Sequence, residues 1–418
     1  MHRCLKFAKY LRNFGWEPII YTAKDAQYPY YDESNAKDIP EGVEILKHKI
    51  VEPFNLFKLL SGRKLSEPMS NPFHVRAKKQ RFIDTFSIWV RGNFFIPDAR
   101  SLWINPSVRF LSKYLKDNHV DAILTNGPPH TNTYIGFKLA EKYTIPWLAD
   151  FQDPWTQVDY YKELMLSSRA DKKHRKMEQN VFKRANKITI ASPSWGEDLE
   201  KIGAKNVSPI YWGYDNEDFI GLKKHDYKKF TISHAGILGY DRDPELLFKV
   251  LYDLSNEDAQ FNEKLSIRLA GMVDFSVVES IKKNGLEGNT ILEGNMKREE
   301  ALRLVISSNI LLLPLNKAEN AKGRIPGKLF EYLKANISIL CLGPKESDSG
   351  NIIRKADRGE SFTYDDYDGI KEYIKREYDK FLNGEITTHS DLEIDEYSVE
   401  KQTGIIAGYL NEITTSLN

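Results

Sequence analysis

Apolar residues recur along this chain in two alternating patterns. Short runs rich in aliphatic and β-branched residues predict strands: "PIIYT", "DAILTN", "PWLADF" and "KITIAS" in the first half, then "KFTISHAG", "LSIRLAG", "TILEGN" and "NILLLPL" in the second. Between them lie stretches whose apolar residues fall three and four apart, which predict helices: "CLKFAKYLRNF" stopped by Gly15, "TYIGFKLAEKY", "KKHRKMEQNVFKRA", "DPELLFKVLYDL", "REEALRLVISS" and "GKLFEYLKA". Strand and helix in alternation predict parallel sheets wound by helices. The pattern restarts after a polar, lysine-rich stretch from Phe219 to Lys229, and no internal repeat is obvious. Two doubly wound domains are therefore expected, the first covering residues 1–218 and the second beginning at 219. The 418-residue length agrees, being too great for one ordinary core.

A doubly wound sheet binds its ligand where loops leave the carboxyl ends of the strands. Each loop with chemical content sits there: "NGPPHTN" after "DAILT", "QDPW" after "PWLADF", "HAGILGYDRDP" after "KFTIS" and "KGRIPGKLFEYL" after "NILLLPL". The last, Lys322 to Leu333, is a near miss for a phosphate-binding P-loop. Three residues separate Gly323 from Gly327 where four are needed, and Leu329 follows Lys328 where a hydroxyl residue is needed. Lys328 nevertheless opens a helix, where its charge adds to the positive end of the dipole unless an anion is bound. Glu331, one turn on, could accept hydrogen bonds from vicinal sugar hydroxyls; the alternative is a plain intrahelical Lys/Glu pair. Gly236 and Gly239 would let backbone approach a ligand, with Arg242 beside it; a tight turn with a surface arginine explains the same residues. His130 could polarise a substrate hydroxyl or cap its turn. Asp153 could take part in catalysis or serve the turn before Pro154. Neither Asp150 nor Asp153 has the histidine-rich company of a metal centre.

Taken together, "RCLKFAKYLRNFGWEPIIYT", "PDARSLW", "GPPHTNTYIG", "ADFQDPW", "HAG" with Arg242 and Pro244, and "GKLFEYL" resemble the family 4 glycosyltransferases of the two-domain GT-B fold, particularly those of surface polysaccharide synthesis. The resemblance spans nearly the whole chain and implies two Rossmann-like domains facing a cleft. The second, 219–396, would hold the nucleotide-sugar donor. The first would face the acceptor and regain a C-terminal helix, 397–418. The implied activity is transfer of a sugar from a nucleotide diphosphate sugar to an acceptor hydroxyl, with retention of configuration and without cofactor or metal. The acceptor would be a glycan or a lipid-linked precursor. The resemblance implies Glu331 at the ribose, Arg242 and Lys328 at the diphosphate beside Gly236 and Gly327, Asn295 and Met296 at the base, and His130 beside the reacting sugar. The family often has a glutamate where Gly323 stands here, so Asn320, Lys322 and Arg324 become candidates for donor-sugar contacts. It also implies a strand and a glycine-rich loop ahead of the helix that starts at His2, so the chain as given is expected to start late.

Charge is unevenly spread behind a net +1. From Lys58 to Arg109 ten Lys/Arg face three Asp/Glu, a local +7, and from Gly359 to Glu400 four face thirteen, a local −9. Within the basic part, Phe82, Ile83, Phe86, Trp89 and Val90 fall at helical spacing next to Arg76, Lys78, Lys79 and Arg81. Such a helix, within residues 74–95, could lie on an anionic membrane or simply cover a core. No RNP-type or helix-turn-helix pattern supports nucleic acid. The longest apolar run, "ILLLPL", is of buried-strand length. Cys4 and Cys341 form no zinc or disulfide pattern and suit a reducing, cytoplasmic compartment, at the inner face of the membrane if the helix meets lipid. Two other readings fit the same loops: a nucleotide-sugar epimerase or hydrolase, or a non-catalytic sugar-nucleotide-binding partner protein.

Overall fold

The computed structural model describes residues 2–26, 33–52, 82–385 and 393–415. The chain forms two units. The first takes in the described residues up to Tyr211 and again from Val399; the second runs from Trp212 to Ser398. The sequence placed these limits at 218/219 and 396/397.

In the first unit, β1 (Ile19–Lys24) and β2 (Glu44–Lys49) pair in parallel as a sheet of their own. A second, four-stranded parallel sheet follows the order β3 (Ile123–Gly127), β4 (Trp147–Phe151), β5 (Lys187–Ile190), β6 (Val207–Pro209). Every residue of β4 is buried, and helices pack against it, so its sequence is apolar almost throughout. The helix His2–Leu11 packs on the final helix Val399–Thr415, with Phe7, Leu11, Ile406, Leu410 and Ile413 in one cluster over Leu148. Side chains of β1 reach another cluster, where Tyr21 stacks on Trp103 at 5.0 Å. A helix does form at Phe82–Phe94. Arg76, Lys78, Lys79 and Arg81 lie outside the described residues. Among the described residues, no helix is long and apolar enough to cross a membrane.

The second unit carries one six-stranded parallel sheet: β7 (Phe230–Ala235), β8 (Leu265–Ala270), β9 (Thr290–Gly294), β10 (Ile310–Pro314), β11 (Ser338–Leu342) and β12 (Gly359–Phe362). Their spatial order is β12-β11-β10-β7-β8-β9. The winding direction reverses between β7 and β10, which pair through Ile232–Ile310 and Ser233–Leu311. Loops leaving these two strands diverge and open a crevice at their carboxyl ends, the ligand position of a doubly wound sheet. One face of the sheet is covered by helices Glu245–Glu257, Phe275–Lys283 and Tyr367–Asn383, whose Phe248, Leu251, Ile281, Ile370, Tyr373 and Tyr378 join Phe230, Ile232 and Leu340 in the core.

Candidate functional site

Helix Lys328–Ala335 opens immediately after Gly327 and buries Leu329, Phe330, Tyr332 and Leu333. Burying that stripe turns Lys328 and Glu331 to the crevice side. They do not pair with each other. Lys328 Nζ lies 3.0 Å from Nε2 of His234, the penultimate residue of β7. His234 Nδ1 lies 2.9 Å from the carbonyl of Leu312, which can only accept, so Nδ1 carries the proton and Nε2 accepts from the lysine. Burial, with Lys328 adjacent, holds the His234 pKa well below its ordinary value, which keeps it in that acceptor form. Burial of the Lys328 ammonium, reinforced by Arg242 and Arg324, lowers its pKa to about 7, with Glu331 opposing. Three cations thus converge where β7 and β10 part, an arrangement an anion would relieve.

Gly236 follows β7 with φ +121°, and a Cβ there would stand 2.6 Å from Lys328 Nζ. The absence of a side chain lets the lysine lie against the backbone. Gly271, after β8, has φ +107° and packs on Gly236 so closely that a Cβ would meet the Gly236 carbonyl oxygen at 2.5 Å. Gly271 N in turn donates to the Gly294 carbonyl at the end of β9, 2.7 Å away. Three neighbouring strands therefore end in contact, and Asn295 and the half-buried Met296 extend from the last of them.

Glu331 is held by Arg298, whose Nη2 lies 2.7 Å from Oε1 and 2.9 Å from Asp218 Oδ2. Burial works against the Arg298 charge, but Glu331 and Asp218 outweigh it and hold its pKa above the usual range. The Arg242 guanidinium grips Asp241 through Nε at 3.0 Å and Nη2 at 2.8 Å. That loop is tied to the one after β10, where Lys317 N donates to the Asp241 carbonyl at 2.8 Å and its Nζ to the Asp243 carbonyl at 2.9 Å. Asn320 and Arg324 flank a single turn, Ala321–Gly323, and the Arg324 carbonyl accepts from Ser349 Oγ at 2.6 Å. Gly327 lies against the Trp212 ring. The structure thus gathers Gly236, Arg242, Arg324, Gly327, Lys328 and Glu331 around one crevice and strings Asn295 and Met296 along its β9 side. Sequence reasoning missed His234, Arg298, Asp218 and Trp212. His234 stood within the quoted "HAG"; the acid-binding Arg298, in "REEALRL", gave no signal beyond a helix start.

The first unit holds a separate cluster. His130 begins helix His130–Tyr143 at the end of β3, and the helix start is capped by Asp98 of "PDARSLW", which accepts from Thr131 N and Oγ1, each at 2.8 Å. His130 is 8% exposed and lies parallel to Trp155, with ring centroids 4.6 Å apart. Burial, with His174 nearby, pushes its pKa down to about 3. Trp155 Nε1 donates to His174 Nδ1 at 3.1 Å, which fixes the indole under the imidazole. His130 Nδ1 and Thr133 Oγ1 are buried without hydrogen-bond partners among the described residues. Asp153 follows β4 and is half-buried. Asp150 is structural: its oxygens accept from Arg3 Nε at 2.9 Å and Nη2 at 3.0 Å, Asn126 Nδ2 at 2.5 Å and Thr189 Oγ1 at 2.7 Å. Among the described residues, no group of three or more His, Cys, Asp or Glu is placed to hold a metal ion.

No protein-family model and no curated protein sequence matches the chain. Solved structures do. A sucrose-phosphate synthase from Thermosynechococcus elongatus is 11% identical with TM-score 0.56, over 99% of this chain and 90% of that one. The N-terminal domain of Candida albicans trehalose-6-phosphate phosphatase is 11% identical with TM-score 0.61, over 97% and 93%. A UDP-N-acetylglucosamine 2-epimerase-like protein from Listeria monocytogenes is 11% identical with TM-score 0.52, over 100% and 93%. The chain has the GT-B fold, with two Rossmann-like sheets, and its structural neighbours include nucleotide-sugar-dependent glycosyltransferases.

Proposed function

We propose that this protein is a glycosyltransferase that moves a sugar from a nucleotide diphosphate sugar to an acceptor hydroxyl, with retention of configuration, as in the family 4 enzymes it resembles. The observation that supports this best is the pair of separate partnerships on helix Lys328–Ala335. Lys328 is backed by a neutral His234 acceptor, and Glu331 by Arg298. A lysine desolvated among arginines suits a diphosphate, whose charge grows as the sugar leaves; stabilising that growing charge is the chief electrostatic task in such a transfer. A carboxylate already oriented by a guanidinium suits a ribose, whose two hydroxyls would donate to it. Asn295 and Met296 would meet the base, and Asn320 and Arg324 the donor sugar. In the first unit, His130 would meet a hydroxyl of the reacting sugar as a neutral imidazole, with Asp153 close in sequence to its Trp155 support. The acceptor we infer is a glycan or lipid-linked precursor, in keeping with the resemblance to enzymes of polysaccharide synthesis. No cofactor or metal is part of this proposal.

Calorimetric titration with UDP, GDP and their sugar conjugates tests it, comparing wild type with Lys328→Ala and Glu331→Ala. The expected result is binding of one diphosphate series, weakened at least tenfold by each substitution. Binding unaffected by both would overturn the assignment of the site. Donor turnover in the absence of any acceptor would favour an epimerase or hydrolase, and binding with no turnover across acceptors a non-catalytic partner.

A further inference from the structure

The arginines of the first unit that are not exposed have partners, with one exception among the described residues. Arg3 is held by Asp150 at 2.9 Å, Arg100 by Glu52 at 2.9 Å and Arg184 by the Ile145 carbonyl at 3.0 Å. Arg91, half-buried on helix Phe82–Phe94, has neither an ion pair nor a hydrogen bond to its guanidinium among the described residues. Burial holds its pKa below the usual value, and Tyr160 and Asp98 nearby offset this only in part. The carboxylates of the surrounding elements are engaged elsewhere. Asp98 accepts from Thr131 N and Oγ1, each at 2.8 Å, and from Arg100 N at 2.9 Å. Asp159 accepts from Tyr160 N at 2.9 Å, and Asp171 from Arg175 and Tyr161, each at 3.0 Å. A guanidinium drawn partly out of water and left unpaired weakens the fold, and a bound anion relieves that penalty.

Arg91 borders the His130 cluster. The next residue, Gly92, is packed so tightly that a Cβ would meet the Leu164 carbonyl oxygen at 2.8 Å, and Asn93 joins the same junction by accepting from Ser167 N at 2.7 Å. His174 lies against the Gly92 backbone and accepts from Trp155, which stacks on His130. From the other direction Asp98, whose charge acts on Arg91, caps the helix that His130 begins. Two routes through the structure thus tie the guanidinium to the helix start that carries His130. Of the His130 ring nitrogens only Nδ1 is fully buried, which leaves Nε2 to meet a ligand. The imidazole is neutral, with its pKa near 3, and brings no charge of its own.

We propose that Arg91 is an anion-binding residue beside His130, which takes a phosphate or carboxylate group carried by the acceptor sugar. Both groups offer the pair of oxygens that a guanidinium fork grips with two N–H donors. The donor diphosphate has cations of its own in the second unit, Lys328 with Arg242 and Arg324, so the charge that Arg91 awaits belongs to another molecule or another part of one. The proposal names the acceptor class of the transferase and rests on that reading for the word acceptor. The anion site itself does not, since binding there requires neither donor nor turnover.

The experiment is calorimetric titration of the full chain with inorganic phosphate, glucose 6-phosphate, glucuronate and glucose, with Lys328→Ala as the control for phosphate held in the donor crevice. Wild type and Lys328→Ala are both expected to bind a charged sugar at least tenfold more tightly than glucose. Arg91→Gln is expected to lower that affinity about 10- to 100-fold, as the loss of a charge-assisted pair requires, and to leave glucose unaffected. Arg91→Lys, which keeps the charge and loses the fork, should fall between. Glucose 6-phosphate against glucuronate shows which anion is preferred. Thermal unfolding without ligand is an independent readout: Arg91→Met should unfold at the wild-type temperature or above it, because it removes an uncompensated charge. Charged and neutral sugars bound alike, charged-sugar binding that survives Arg91→Gln or is lost in Lys328→Ala, or a lowered unfolding temperature in Arg91→Met would each overturn the proposal. Diphosphate binding through Lys328 without any sugar binding through Arg91 would remove this inference alone and leave the donor site standing.

Discussion

Lys328 offers the sharpest test, because its environment sets a pH at which the site should change. The unliganded ammonium has its pKa lowered to about 7 by burial and by Arg242 and Arg324. A lowered pKa on a cation means that below pH 7 the charge is present, and above it the charge is lost. A single phosphate charge about 4 Å away contributes roughly 4 kcal/mol at an effective dielectric near 20, or about three pKa units, enough to restore an ordinary lysine in the complex. Binding a diphosphate above pH 7 must therefore take up a proton, and affinity must fall as pH rises. The protonated fraction drops from about one half at pH 7 to about 1% at pH 9, so Kd should weaken about 50-fold across that interval, roughly 2.3 kcal/mol.

The assay is titration calorimetry with a nucleotide diphosphate sugar, whose phosphates are diesters and do not themselves titrate near neutrality, from pH 6.5 to 9. Repeating each point in buffers of different ionisation enthalpy counts the protons directly, and close to one should be absorbed per ligand at pH 8.5. Lys328→Gln should bind weakly at every pH and absorb none. His234, held neutral with its pKa far below the usual range, contributes no proton here. A flat Kd from pH 6.5 to 9 in wild type would refute the argument: either the lysine stays charged in its pocket, or the diphosphate does not reach it.

Three further outcomes are expected. Gly236→Ala forces a Cβ to 2.6 Å from Lys328 Nζ in a backbone region strained for L-residues, so it should cost about 1–2 kcal/mol in chemical denaturation and weaken donor binding at least tenfold; unchanged donor binding would count against contact between the lysine and the ligand. His130→Gln should lower kcat about 10²–10⁴-fold while leaving the pH–rate profile between 5 and 9 unaltered in shape, since the imidazole's pKa lies near 3 and it is neutral throughout that range. A limb near pH 6–7 that disappears in the variant would contradict its neutral state. Arg3→Ala strips the Asp150 carboxylate of its guanidinium where both side chains are fully buried, and should cost about 3–5 kcal/mol by denaturant titration, much of it recovered in Arg3→Met/Asp150→Leu; a loss under about 1 kcal/mol would show the pair to be dispensable.

The doubly wound plan was legible because strands such as β4 and β10, buried along their whole length, are apolar almost throughout, and the helices beside them carry one apolar stripe. β2 was not. "EILKHK" has no fully buried position and carries two lysines and a histidine, so it passed for loop until its pairing with β1 supplied the reason to be extended. The sheet order was beyond sequence as well, since which strands become neighbours depends on crossovers between residues as distant as Ile232 and Ile310.

The same limit governs the site. Lys328 and Glu331 could be singled out because both sit on one helix, whose period is written in the sequence, and the choice between an internal pair and a ligand site stayed open at that level. What bears on it is long-range: His234 takes the lysine, and Arg298 takes the glutamate, each delivered from another element. Two oppositely charged neighbours one turn apart would ordinarily satisfy each other, at a gain of only about 0.2–0.5 kcal/mol. Here each has a different partner, which holds the two groups apart and leaves the cationic one without a carboxylate of its own. A helix built only for stability has no need of that separation, and it is this separation that supports the proposed donor site, where a phosphate and a sugar hydroxyl would be held side by side.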